Sequence, residues 1–297
     1  MKQQKINILM AINRNYLQQM KTVICSLGSN CSCAVDIYIM HQELNSEDIS
    51  MLQSLTKKMC GGTVYEIKMN SEFLKGAKIL SHFSIEMYYR IFASEFLPVN
   101  LDRILWLDAD LVVLKDLKEL FFTDFHGMSV AVCGHRERIS NEPVMNITGV
   151  DRLGLKKDDV YFNSGVILMN LDKIRENFEK DSVLKLIYEK ETLLVNPDQD
   201  ILNLLYQDDK LVLDWRNYNY QVHFDWKYPN EKQWLEQSAT IIHYVGPFKP
   251  WVHTSRHFSY GYYWKYYFMH GSKFTYIKNE ILKFVFLIYI KLKKKGE

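Results

Sequence analysis

Residues 103–114 read RILWLDADLVVL. Two apolar runs flank two carboxylates, Asp108 and Asp110, separated only by Ala109. On an extended strand side chains alternate, so both acids would face one way. About 6–7 Å apart at an effective dielectric near 20, they would repel by roughly 3 kcal/mol. Burial makes an unneutralised pair costlier still. Either one acid is protonated or a cation sits between them. Hard oxygen ligands suit Mn2+ or Mg2+, which commonly bridge carboxylates to phosphate oxygens. The plainer alternative has Asp108 capping the following turn and Asp110 in solvent.

Working outward, residues 6–12, 34–40, 63–67 and 103–107 read as strands. Helical patterns at residues 16–27, 46–59 (with Ser46 as N-cap) and 84–96 lie between them, the last stopping before Pro98. This alternation predicts a doubly wound, parallel α/β sheet. Ligands of such sheets sit beyond the carboxyl ends of the strands, where Asp108 and Asp110 fall. Further strands are expected at 129–133, 161–170 and 239–243, and helices at 171–190 and 200–206. The polar stretch 134–159 reads as a long connection.

The chain has 297 residues, 47% of them hydrophobic and 24% charged, which is globular and excludes wholesale disorder. A net charge of +2 gives no global field for nucleic acid. Five cysteines and no apolar leader point to free thiols in a reducing cytoplasm. Cys31 and Cys33 are too close for a zinc knuckle. Residues 1–255 read as one catalytic domain and 256–297 as an extension. That extension interleaves aromatics with five lysines between Lys283 and Lys295. Its apolar run 284–290 is far short of the roughly 20 residues that span a bilayer. It suits an anionic membrane surface, making the protein cytoplasmic and peripheral on the inner face; the alternative is a helix packed on the domain.

Other polar residues stand where apolar ones belong. His243 follows an apolar strand in IIHYVGPFKPW, at the expected rim, and as a neutral imidazole could complete a metal site. Gly246 would let backbone approach a phosphate, and Lys249 would add a point charge. Asn163, Ser164 and Gly165 interrupt a strand in YFNSGV, which suggests a nearby ligand. Asp198, Gln199 and Asp200 open a helix in NPDQDILN, where acids also serve as caps. Arg90 is a lone cation in MYYRIF, either paired with a strand-end acid or clamping a phosphate.

Taken in order, DAD, YFNSGVILMNL, NPDQDILN and HYVGPFKPW resemble the retaining glycosyltransferases of family 8, over roughly residues 6 to 251. The resemblance implies a GT-A, Rossmann-like fold that binds a UDP-sugar such as UDP-glucose or UDP-galactose. It implies that Asp108, Asp110 and His243 hold Mn2+, that Gly246 and Lys249 contact phosphate, and that Arg90 and Ala109 lie near the donor. Asn163 and the Asp198–Gln199 pair fall around the transferred sugar and the reaction centre. Family members often carry an acid on uracil after the first strand; Asn13 stands there, ahead of Asn15 and Tyr16, and an amide can still bond the uracil edge. The family's frequent Asp near Gly134 has no counterpart in AVCGHRER, which leaves glucose and galactose open.

The expected reaction moves a hexose, with retention, to a hydroxyl of a surface glycan, lipid-linked saccharide or glycoprotein. Two other readings compete. One is a catalytically degenerate sugar-nucleotide or glycan-binding module. The other is a haloacid-dehalogenase-type phosphatase, whose D-x-D-x-V pattern DADLV satisfies, although its first-strand placement and later acidic motif are missing.

Overall fold

The computed structural model describes residues 5–77, 84–134, 145–222, 231–247, 249–252 and 257–293. Seven strands form the main sheet: β1 (Lys5–Ala11), β2 (Ala34–His41), β3 (Val64–Lys68), β4 (Arg103–Leu107), β6 (Val130–Gly134), β7 (Phe162–Asn170) and β8 (Lys210–Leu213), in the order β3-β2-β1-β4-β7-β6-β8. A second sheet joins β5 (Leu111–Val113), β9 (Tyr220–Gln221) and β10 (Ile241–His243) in the order β5-β10-β9.

Both faces of the main sheet are covered, and β1 shows how. Ile6, Ile8 and Met10 pack with Val23, Ile24 and Leu52 of the helices Leu17–Asn30 and Ser46–Cys60. Leu9 points the other way, among Trp106, Tyr88, Phe92 and Ile167. The near-continuous apolar character of these strands follows from this double burial.

The first four strands run parallel, as their alternation with helices predicts, while the sheet as a whole is mixed. β7 is antiparallel to both β4 and β6. The reason is where the chain re-enters: Gly134 at the end of β6 pairs with Phe162 at the start of β7. β7 therefore begins at the rim where β4 ends, and Asn163–Gly165 lie beside Asp108. Asp108 N donates to Gly165 O at 2.9 Å. A register shift between Val132 and Cys133 adjusts this edge.

Asp108–Asp110 is a turn rather than continuous strand. It passes the chain from the main sheet at β4 to the second sheet at β5, where Leu111 faces His243 across the antiparallel pair. The helix expected at 84–96 is a 3-10 turn, Ile85–Arg90, followed by a short helix, Ala93–Phe96. Glu86, Met87, Tyr88, Tyr89, Arg90, Ile91, Phe92 and Ala93 are buried in succession, so this stretch lacks the alternating solvent face of a regular amphipathic helix. The expected helix 171–190 is two helices, Leu171–Asn177 and Lys180–Glu189. Phe178 between them packs edge-on to Phe92 at 5.8 Å. Asn45, not Ser46, caps the second helix, in a capping box with Asp48. The helix expected from Asp200 begins at Pro197. The connection 134–159 holds the helix Met145–Leu153; its residues 135–144 lie outside the described residues.

The C-terminal segment divides. In the helix Tyr260–Tyr267, Tyr260, Tyr263, Trp264, Tyr266 and Tyr267 are buried with Val112 and Ile242 of the second sheet and with Tyr244 just after it. The last helix, Lys273–Lys293, exposes Phe274, Ile277, Ile281, Phe284, Val285 and Ile288. Among the described residues no helix is long and apolar enough to cross a membrane.

Candidate active site

Four elements converge at the carboxyl end of β4: the Asp108–Asp110 turn, the start of β7, the first turn of the helix Pro197–Leu205, and the end of β10. One ligand atom each from Asp108, Asp110 and His243 lie within 4.8 Å of one another. Among the described residues this is the group that could hold a metal ion, and it contains no cysteine.

Asp110 is the most constrained member. Its backbone carbonyl accepts from Tyr244 N at 2.9 Å, fixing the turn to β10. One carboxylate oxygen meets the Lys249 ammonium, which also donates to Tyr244 O at 2.6 Å. Burial pushes the Asp110 carboxyl up, but Lys249 and His243 together outweigh it and hold the group well below the usual carboxylate range. The other oxygen, Oδ1, is buried with no hydrogen-bond donor aligned to it, although His243 Nε2 is 3.0 Å away. An orphaned carboxylate oxygen facing an imidazole nitrogen, with Asp108 Oδ2 3.9 Å from that nitrogen, is a donor set that a small divalent cation fits.

Asp108 is held from two sides. Its Oδ1 accepts from Trp106 Nε1 at 2.9 Å and pairs with Arg90 Nη2 at 2.9 Å. Arg90 is a buried hub: it also pairs with Asp198 Oδ2 at 3.2 Å, donates to Ser164 O at 2.6 Å, and lies 4.4 Å from the Trp106 ring centroid. The ion pair with a strand-end acid, one of its two expected roles, is in place. Asp198 Oδ2 additionally accepts from Ser164 Oγ at 3.0 Å. Burial raises the Asp198 pKa; Arg90 opposes this and Asp108 adds to it.

Gln199 sits beside Asp198. Its Oε1 accepts from Asn163 Nδ2 at 3.0 Å and from Ser164 N at 3.1 Å, and its Nε2 donates to Tyr161 Oη at 3.0 Å. Gly165 is required by its surroundings: a Cβ there would lie 2.1 Å from His243 Cε1 and 2.8 Å from Nδ1. His243 is thus wedged between the backbone of β7 and Asn219, whose Oδ1 is 2.9 Å from Nδ1.

The remaining expected residues line the same rim more loosely. Tyr16 is partly exposed, its ring edge-on to Trp251 at 6.3 Å; burial, then Asp110 and Asp108, raise its pKa. Asn13 accepts from Asn15 N at 3.0 Å and so caps the turn Arg14–Tyr16, leaving Asn15 exposed. Ala109 is buried between the two acids. Gly246 has φ of +70°, a left-handed turn conformation that favours glycine. Sequence reasoning missed Asn219, Tyr161 and Trp106. Asn219 had no local signal, because its role depends on β9 pairing beside β10.

The family described as "Glycosyl transferase family 8" matches residues 7–255. A lipopolysaccharide 1,2-glucosyltransferase of Escherichia coli strain K12 is 30% identical over 253 residues, covering 83% of this chain and 72% of that protein. The Streptococcus pneumoniae glycosyltransferase GlyF is 29% identical over 255 residues, 82% of this chain but only 57% of GlyF. Among solved structures, the galactosyltransferase LgtC in complex with donor and acceptor sugar analogues superposes with a TM-score of 0.73 at 21% identity, covering 89% of this chain and 96% of LgtC, a likeness of fold. The chain belongs to glycosyl transferase family 8 and is a glycosyltransferase of the GT-A fold.

Proposed function

We propose that this chain transfers a hexose, glucose or galactose, from a UDP-sugar to a hydroxyl of a surface glycan or lipid-linked saccharide, with retention and with a divalent metal. The observation that carries this reading is the Asp108–Asp110–His243 cluster with its orphaned Asp110 Oδ1. Asp108, Asp110 and His243 would hold Mn2+ or Mg2+. Bound there, the cation would supply charge for the diphosphate and its departure as UDP. A saccharide acceptor is supported by the lipopolysaccharide enzyme among the relatives.

The protein's own groups have distinct tasks in this reading. Lys249, held against Asp110, is placed to add a second cation near the diphosphate. Asn13, Asn15 and Tyr16 border the nucleoside, and Gly246 shapes the loop over the phosphates. Arg90 fixes Asp108 and Asp198 in one geometry, so the metal side and the sugar side of the site move together. Asn163, Asp198 and Gln199 line the sugar, with the last two on the face opposite the leaving group. Their buried network keeps these groups preorganised.

The last helix supplies a membrane-surface contact. Phe274, Ile277, Ile281, Phe284 and Ile288 recur every three to four residues, so they form one exposed apolar stripe. Lys273 and Lys278 supply positive charge along that helix, an arrangement suited to anionic lipid. The test of the transferase reading is UDP release from a panel of UDP-sugars with Mn2+ and a lipooligosaccharide acceptor. Turnover of UDP-glucose or UDP-galactose is expected; release from none of the panel would overturn it.

A further inference from the structure

Behind His243 runs a chain of buried side chains in which every donor points the same way. His243 Nδ1 lies 2.9 Å from Asn219 Oδ1, and Asn219 Nδ2 donates to Asn163 Oδ1 at 2.9 Å. Asn163 Nδ2 donates to Gln199 Oε1 at 3.0 Å, and Gln199 Nε2 to Tyr161 Oη at 3.0 Å. Tyr161 Oη donates to Asp200 Oδ1 at 2.5 Å. Asp200 is fully buried and anchored by both Arg152 Nη groups, at 2.9 and 3.0 Å, and by Val195 N and Asn196 N. Each of Asn219, Asn163, Gln199 and Tyr161 is at most 8% exposed.

Amide orientations in such a chain are normally ambiguous, since oxygen and nitrogen look alike. Here backbone N–H groups, which can only donate, remove the ambiguity. Gly165 N donates to Asn163 Oδ1 at 3.0 Å, and Ser164 N to Gln199 Oε1 at 3.1 Å. Flipping either amide would set an NH2 group against a backbone N–H. With Asn163 Oδ1 fixed as an acceptor, Asn219 must present its NH2 there and its oxygen to His243. An oxygen opposite Nδ1 requires the imidazole proton on Nδ1. In the neutral ring the lone pair then lies on Nε2, which faces Asp110 Oδ1 at 3.0 Å.

We infer that this chain, anchored at Asp200, sets the tautomer of His243 and holds its Nε2 lone pair toward the cation position, with Asn219 and Asn163 as positioning residues. The inference rests on the reading of Asp108, Asp110 and His243 as metal ligands. Outer partners that orient a ligating imidazole commonly change metal affinity by about 10- to 100-fold when removed.

The deciding experiment is imidazole 15N–1H correlation NMR on the metal-free, histidine-labelled full chain, with His243 assigned by its loss in His243→Gln. The expected result, with the ring neutral, is a proton on Nδ1 and an unprotonated Nε2; a neutral ring with its proton on Nε2 would overturn the inference. Folded Asn219→Leu should lose the single tautomer and bind Mn2+ alone about 10-fold more weakly by EPR. Asn163→Asp, which keeps the acceptor for Asn219, should retain the tautomer. Unchanged tautomer and Mn2+ affinity in Asn219→Leu would also refute it. A wild-type chain with the Nδ1 proton and no Mn2+ binding would uphold the tautomer and overturn the metal reading instead.

Discussion

Gly165→Ala adds one carbon and tests how tightly β7 clamps His243. The new Cβ would sit 2.1 Å from His243 Cε1. Carbon atoms settle at about 3.5 Å, so the ring or the strand must yield by about 1.4 Å. The ring has little room: its Nδ1 is tied to Asn219 at 2.9 Å and its Nε2 faces Asp110 at 3.0 Å. The strand is paired on both sides, with Leu107 of β4 opposite Val166 and Cys133 of β6 opposite Asn163. Overpacking of this kind costs about 1–3 kcal/mol of stability. Displacing a site group by about 1 Å can cost on the order of 100-fold in turnover. The assay is UDP release against Mn2+ concentration, alongside thermal unfolding. A folded Gly165→Ala chain with at least 10-fold lower turnover, or at least 10-fold weaker Mn2+ activation, is expected. Wild-type turnover and wild-type Mn2+ dependence would refute the claim that His243 is held by this contact.

Arg90→Met removes the buried cation shared by Asp108 and Asp198, and breaking such a pair typically costs about 3–5 kcal/mol. For a chain of this size that is a melting-point drop of roughly 5–8 °C, with loss of transfer; an unchanged melting point would show that the pairs are dispensable. His270 should make stability fall in mild acid. Burial, then Lys21, lowers its pKa to about 4, with Nε2 on Thr22 Oγ1 at 2.9 Å and Nδ1 without a partner. The unfolded chain takes up this proton near pH 6.5 and the folded chain only near 4, so stability is intact above about 6.5 and lost as pH falls toward 4, by at most about 3 kcal/mol. Urea unfolding of wild type and His270→Gln between these pH values should show a flatter dependence in the variant; identical slopes would exclude His270. Deleting residues 272–297 should release the protein from anionic vesicles while sparing transfer to small soluble acceptors, and continued sedimentation with vesicles would contradict the membrane contact.

What the sequence made legible was local in kind. The strand β4 lies where RILWL predicts it, and the placement of Asp108 and Asp110 at its carboxyl end needed only period-two burial and the α/β alternation. His243 was found because a polar residue closing an apolar strand is unusual. The antiparallel course of β7 was not legible, since an apolar strand buried on both faces reads alike in either direction. That direction is what brings Ser164 and Gly165 to Asp108 and His243. The 3-10 turn at Ile85–Arg90 was hidden because its Tyr and Met spacing mimics a helix while every face is buried. Asn219 and Tyr161 owe their roles to partners that lie 24 and 39 positions away, His243 and Asp200, which no window of sequence displays. The buried rings of Tyr260–Tyr267 have the same composition as an interfacial belt; only the second sheet beneath them decides which they are.

The central claim is that the Asp108–Asp110–His243 cluster is a cation site on which sugar transfer depends. The most direct measurement is UDP-sugar turnover by the EDTA-treated full chain as Mn2+ is added back, for wild type and Asp110→Asn. Wild type should be silent without the metal and recover along a saturable curve, while folded Asp110→Asn stays silent over the same range. Full turnover in EDTA, or wild-type turnover by Asp110→Asn, would contradict it.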